Sequence, residues 1–332
     1  MLPFLFLVLL AGCSRGPAVW RFQGATMGTT YNVTVVDAPE HVSQEALGAG
    51  IEQRLETVNR LMSTYRDDSE VSIFNRMPAG DWVPVSSATA RVVAIALDIY
   101  RLSGGAFDVT VGPLVDLWGF GARGGAGERV PGAEEIEAAR ALTGSDALHV
   151  RLEPAALMKD APRQIDLSAI AKGFGVDEVA HWLEQQGVRD YMVEVGGEVR
   201  AAGRNPRGEK WRIGIEAPEL LRGQVARAIG ISAKSVATSG DYRNYFEVDG
   251  KRYSHTIDPA TGRPVEHALA SVTVVSDNCT LADALATAID VMGPERGMAL
   301  AEREGIAVFM LLRKADGAFE ARSSPAFSGY VE

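Results

Sequence analysis

Apolar side chains recur along this chain at two periods, and the period changes mark its elements. Residues 29–36 alternate apolar and polar positions and are rich in β-branched side chains, the pattern of a half-buried strand. Over residues 43–63, Leu47, Ile51, Leu55, Val58 and Met62 fall at steps of three and four. That spacing predicts an amphipathic helix with Ser43 as N-cap. A second helix is expected over 87–102, stopped by Gly104 and Gly105. A third, exposed and rich in Glu and Ala, is expected over 131–142. A fourth covers 169–186, with Ile170, Phe174, Val179 and Leu183 on one face. Strands follow over 191–201, 211–216, 226–232 and 242–248, and the Asp249-Gly250 pair turns the last of these into a hairpin returning through Arg252 to Ile257. Residues 271–275 and 306–312 read as strands. Residues 281–292 read as a helix capped by Thr280 and stopped by Gly293, with a short helix over 294–303. Helices and strands come in mixed runs without a steady βαβ alternation. The expected class is therefore α+β, with mixed, largely antiparallel sheets packed with helices.

Composition narrows the function. The 332 residues are 46% hydrophobic and 23% charged, the profile of a globular protein. A net charge of −10 argues against a nucleic-acid partner. Two cysteines allow at most one disulfide. The opening apolar run ends at Leu10-Ala11-Gly12-Cys13 and is too short to span a bilayer, but it suits a signal peptide. Those four residues resemble a bacterial lipobox. The resemblance implies a signal over 1–12 and a lipidated Cys13 with a tether over 13–21. It also implies that the remaining domain, 22–332, is held at the cell envelope and faces the periplasm. No Lys or Arg precedes Cys13, so a buried strand with an ordinary cysteine stays open. Cys279 then lacks an intrachain partner and is expected as a small buried hydrophobe just before a helix.

No Walker loop, dinucleotide-binding glycine fingerprint, zinc spacing or serine elbow occurs in the chain. Four other clusters carry chemistry. Asp283 and Thr287 stand at i and i+4, so one helix face offers a carboxylate and a hydroxyl to a hard cation, or merely packs. Residues 164–175 end an apolar strand at Asp166-Leu167 and start a helix near Ser168, and Lys172 in its first turns suits a phosphate or plain solvent. The glycine-rich run from Gly104 to Gly121 contains Phe107, Trp118 and Phe120, which would wall a planar ring or fill a core. His255, near a hairpin end, is a candidate base, with Asp258 as its orienter.

Eight motifs in order resemble the ApbE-type FAD:protein FMN transferases over residues 22–312. They are Thr26-Met27-Gly28-Thr29, Met62-Ser63-Thr64-Tyr65 with Ser69-Glu70, 105–113, 165–173, 193–198, Ser239-Gly240-Asp241-Tyr242, 255–259 and 282–287. The resemblance implies an ApbE-like fold with a flavin cleft between two intimately packed lobes. It implies Mg²⁺-dependent transfer of FMN from FAD to a Ser or Thr hydroxyl of an acceptor flavoprotein, with release of AMP. The acceptor would be a membrane redox subunit or a periplasmic flavin domain. FAD contacts implied by motif are Met27, Tyr65, Ala106, Phe107, Asp108, Asp166, Lys172 and Ile257. Implied metal ligands are Asp283, Thr287 and the backbone carbonyl of Ala169, which stands where relatives often have Gly, Ser or Thr. The catalytic position falls on His255. The same pocket would also serve an FAD pyrophosphatase giving FMN and AMP, or a lipoprotein that only holds flavin.

Overall fold

The computed structural model describes residues 16–121, 129–216, 225–241 and 244–331. The expected signal, Cys13 and Tyr242 lie outside the described residues.

One sheet organises the molecule. Its strands are β1 (Val19–Thr26), β2 (Thr29–Val36), β3 (Asp190–Val195), β4 (Glu198–Ala202), β5 (Lys234–Gly240), β6 (Leu269–Ser276), β7 (Ala307–Arg313) and β8 (Phe319–Ser323). The eight lie side by side in chain order, and every neighbouring pair is antiparallel. Most of the rest of the described chain is inserted between these strands, and the insertions contribute to the cleft.

Two turns fix the register at the cleft end. Thr26 pairs with Thr29, leaving Met27 and Gly28 as a two-residue loop with φ of 49° and 71°. The single strand expected over 191–201 is instead β3 and β4, reversed at Gly196-Gly197 with φ of 62° and 106°. A Cβ on Gly196 would meet the Thr29 methyl at 2.8 Å, so the close approach of the two turns also demands glycine. β5 lies between β4 and β6, although no strand is expected there from its pattern.

The helices are α1 (Gln44–Met62), α2 (Glu70–Arg76), α3 (Ser87–Leu102), α4 (Gly112–Leu117), α5 (Ala133–Arg140), α6 (Ala171–Gln185) and α7 (Cys279–Glu304). Ser43 caps α1 as expected, its Oγ accepting the Ala46 N–H at 3.1 Å. α7 differs from expectation at its N-terminus. Asn278, not Thr280, is the N-cap, accepting the Leu281 N–H at 2.8 Å. Thr280 instead donates its hydroxyl to Asp177 at 2.7 Å, which ties α7 to α6. Gly293, with φ 76° and ψ 176°, leaves helical geometry and Pro294 follows, so α7 is two helical segments meeting at a break at Gly293, where the sequence places the stop. Cys279 is its first residue and is fully buried.

α1 and α6 pack Leu47, Ile51, Val179 and Leu183 on Val33 and Val193 of the sheet. α3 and α7 cover β6 and β7 through Leu97, Leu285, Ile289, Val272 and Met310. On the opposite face, the hairpin of Trp211–Glu216 and Val225–Ile231 packs Trp211, Ile215 and Ile229 on Phe309 and Leu311. With both faces covered, every residue of β6 from Leu269 to Val275 is buried. A smaller apolar cluster joins Leu114, Trp118, Ile136, Phe246 and Ile257 and forms the second lobe.

Candidate active site

A cleft of about 760 Å³ opens between the two lobes, within the about 300–1,000 Å³ usual for small-molecule sites. Tyr65, Ala106, Phe107, Asp108, Asp166, Ala169, Lys172, His255, Ile257, Asp283 and Thr287 all line it. They come from far apart in sequence: the insertions 37–189 and 277–306 leave the end of the sheet marked by Val36 and Ser276, the insertion 241–268 leaves the other end at Gly240, and all three contribute side chains to the cleft. Met27 is not among the lining residues. Its left-handed backbone turns the side chain onto the core beside Gly175 and Leu55. Trp118 is also core, not wall: it donates Nε1–H to the Gly262 carbonyl at 2.8 Å and stacks on Tyr253 at 5.6 Å. Phe107 and Phe120 do line the cleft. Tyr65 stands at the rim, 73% exposed.

The carboxylates at 108 and 166 shape the loops that carry them. Asp108 Oδ1 accepts the Thr110 N–H at 2.8 Å and the hydroxyls of Thr110 and Ser145 at 2.6 Å. The strand expected to end at Asp166-Leu167 is absent: residues 163–167 are irregular. Asp166 Oδ1 instead accepts the Ser168 N–H at 2.8 Å and its hydroxyl at 2.5 Å, and the helix begins at Ala171. Lys172 is thereby the second helical residue.

Lys172 Nζ lies 3.2 Å from Glu198 Oε1 and 3.4 Å from Asp283 Oδ1. Burial opposes its charge, but the two carboxylates outweigh burial and hold it protonated. Burial pushes both acids upward, against the pull of Lys172. Asp283 Oδ2 accepts the Gly173 N–H at 2.9 Å. This contact exists because α6 and α7 nearly touch: a Cβ on Gly173 would collide with the Cys279 carbonyl and sit 2.8 Å from Asp283 Cβ. The Gly173 N–H is thus diverted from Ala169, and no backbone N–H among the described residues takes the Ala169 carbonyl. One turn beyond Asp283, Thr287 Oγ1 is 3.2 Å from Ser239 Oγ.

Glu198 Oε2 is buried and has no hydrogen-bond partner among the described residues. Two buried acids face one lysine, so the cluster is short of positive charge. Carboxylate, hydroxyl and unclaimed carbonyl oxygens are the donors Mg²⁺ or Ca²⁺ prefers, and the residues present fit such an ion. No group of three or more His, Cys, Asp or Glu side chains able to hold a metal occurs among the described residues. Oxygens from a bound substrate would have to complete the shell.

His255 lines the same cleft and is half-buried. Its Nδ1–H donates to the Asn244 carbonyl at 3.1 Å, which leaves Nε2 as the basic nitrogen. Asn244, not Asp258, orients the ring, because Asp258 Oδ1 is taken by the Ala260 N–H at 2.9 Å. Burial, with a smaller push from Lys172, holds the imidazole below its ordinary 6.5, although the Asn244 bond opposes this. The ring is neutral at pH 7.

Glu198, Ser239 and the Ile213–Glu216 wall lack an assigned role in the sequence reading. Glu198 sits in a quoted motif, and the glycine pair before it was the available signal.

A neutral imidazole, a lysine and an oxygen-rich cation pocket within one ligand-sized cleft suit phosphoryl chemistry. The chain belongs to the ApbE family, whose model matches residues 27–310. It is 49% identical over 326 residues to the FAD:protein FMN transferase of Vibrio cholerae, covering 98% of this chain and 96% of the relative. It is 42% identical to the FAD:protein FMN transferase of Haemophilus influenzae, covering 97% and 94%. The solved structure of the flavin transferase ApbE from Vibrio cholerae superposes with a TM-score of 0.88 at 45% identity, covering 95% of this chain and all of that one.

Proposed function

We propose that this chain is a Mg²⁺-dependent FAD:protein FMN transferase that moves FMN from FAD to a Ser or Thr hydroxyl of an acceptor protein and releases AMP. The observation that carries the reading is the shared cleft, which His255, Lys172, Asp283 and Thr287 all line. Phe107 and Phe120 offer aromatic surface for the flavin ring, and Tyr65 stands where it could close over the rim. Lys172 supplies one fixed positive charge to the pyrophosphate of FAD. Asp283, Thr287 and the Ala169 carbonyl would hold Mg²⁺, which when bound neutralises phosphate charge. His255 Nε2 accepts the proton of the acceptor hydroxyl. The hydroxyl oxygen then bonds to the FMN phosphorus, and the P–O bond to AMP breaks in line with it. The bond's electron pair leaves on the AMP phosphate. Cys13 would anchor the enzyme by lipid at the bacterial envelope, facing the periplasm. Its acceptor would be a membrane redox subunit or a periplasmic flavin domain.

Replacing His255 by Ala tests the assignment. The variant is expected to bind FAD as the wild type does and to lose about 100-fold or more in transfer rate, within the range for a general base. Transfer at the wild-type rate would remove His255 from the mechanism.

A further inference from the structure

One acid on α7 has no part in that chemistry. Asp290 lies seven residues, about 10 Å, beyond Asp283 along the helix. It is 0% exposed. Its Oδ2 accepts the Thr256 hydroxyl at 3.0 Å, and its backbone carbonyl accepts His267 Nε2–H at 2.6 Å. Thr256 follows His255 directly. The Thr256 N–H goes to Ser254 Oγ at 3.1 Å, and its carbonyl accepts the Val265 N–H at 3.0 Å. One residue of α7 therefore grips the segment that carries His255 on its outgoing arm, at Thr256, and on its returning arm, at His267. The His267 ring in turn packs at the α7 kink, where a Cβ on Gly293 would lie 2.8 Å from Cδ2.

A carboxyl is a costly way to fill this space. Burial pushes Asp290 up to about 7, and its Oδ1 has no partner among the described residues. An apolar side chain would pack there without that penalty. The directional bond to Thr256 is what the acid adds.

We propose that Asp290 is a positioning residue that sets the spacing between the His255 imidazole and the Asp283–Thr287 face of α7. The inference rests on the transferase reading above, with His255 as base and α7 as the metal-bearing wall. An error of about 1 Å in such a spacing can cost about 100-fold in rate.

The test measures FMN transfer from FAD to an acceptor protein with Mg²⁺, for the wild type and four variants. Asp290→Ala and Thr256→Val are each expected to lower kcat by about 10- to 100-fold, with KM for FAD changed by less than about threefold. The Asp290→Ala/Thr256→Val double variant should be no slower than the slower single, because both remove one bond. Asp290→Asn keeps an oxygen for Thr256 and should return kcat to within about threefold of wild type. If Asp290→Ala does not fold, Thr256→Val and Asp290→Asn still decide the matter. Unchanged kcat in Thr256→Val, additive losses, or an Asp290→Asn as slow as Thr256→Val would overturn the inference. Failure of the wild type to transfer FMN would overturn the functional reading, and this inference with it.

Discussion

His255 is neutral at pH 7 because burial costs the imidazolium more than the Asn244 carbonyl returns. A lowered pKa means that the basic form persists to lower pH than in a free histidine. The profile of kcat/KM should therefore keep its plateau through pH 7 and fall on the acid side with a midpoint below 6.5. A midpoint at or above 6.5 would contradict the burial argument. At this scale the sequence was informative where side-chain type decides the chemistry. Asp283 and Thr287 were legible as one helix face, and Lys172 as a cation near a helix start. It was silent where backbone atoms do the work. The Asn244 carbonyl and the unclaimed Ala169 carbonyl leave no mark in residue identity. Nor does the place of Met27 in a motif reveal its positive φ and its packing against the core.

The contact of α6 with α7 brings the cation pocket together. Gly173 permits it, since any larger residue would strike the Cys279 carbonyl and Asp283. Gly173→Ala should push the helices apart and destabilise the fold by about 1–3 kcal/mol, the usual cost of overpacking. A lower denaturant midpoint with an unchanged m-value would register the loss. The same variant should need more Mg²⁺ for half-maximal transfer, because Asp283 loses its place against the Gly173 N–H. A wild-type midpoint and metal titration would show that the close approach is not needed. Periodic elements were the readable ones. The Ser43-capped α1 and the strand over Thr29–Val36 fall where the pattern puts them. β5 was missed because Lys234-Ser-Val-Ala-Thr-Ser-Gly240 carries small polar side chains, and its strand state comes from neighbours on both sides. The β3–β4 reversal was missed because a two-glycine turn sits inside one apolar run.

At the scale of the whole molecule, the sheet runs β1 to β8 in chain order, so each insertion returns close to where it left. This is why motifs separated by more than two hundred residues line one cleft, as Thr30 and Thr287 do. The α+β class with antiparallel sheet was legible from the mixed order of elements. The simple order of the strands was not, because pairs such as β2 with β3, Val36 opposite Asp190, are separated by long insertions. No helix among the described residues is long and apolar enough to cross a membrane. The proposed membrane attachment rests on Cys13. Cys13→Ala should move the protein from the membrane fraction to the soluble fraction on cell fractionation, with transfer activity retained. Continued sedimentation with membranes would refute lipid anchoring through that residue.

The most direct test of the whole account is the mass of an acceptor protein bearing a flavinylation-type Ser or Thr segment, after incubation with the enzyme, FAD and Mg²⁺. The account predicts a gain of one FMN moiety, released AMP in equal amount, and loss of both when a chelator is added. Steady AMP release with no gain in acceptor mass would make the protein a pyrophosphatase, and intact FAD with an unmodified acceptor would make it a flavin carrier; either result would contradict the transferase.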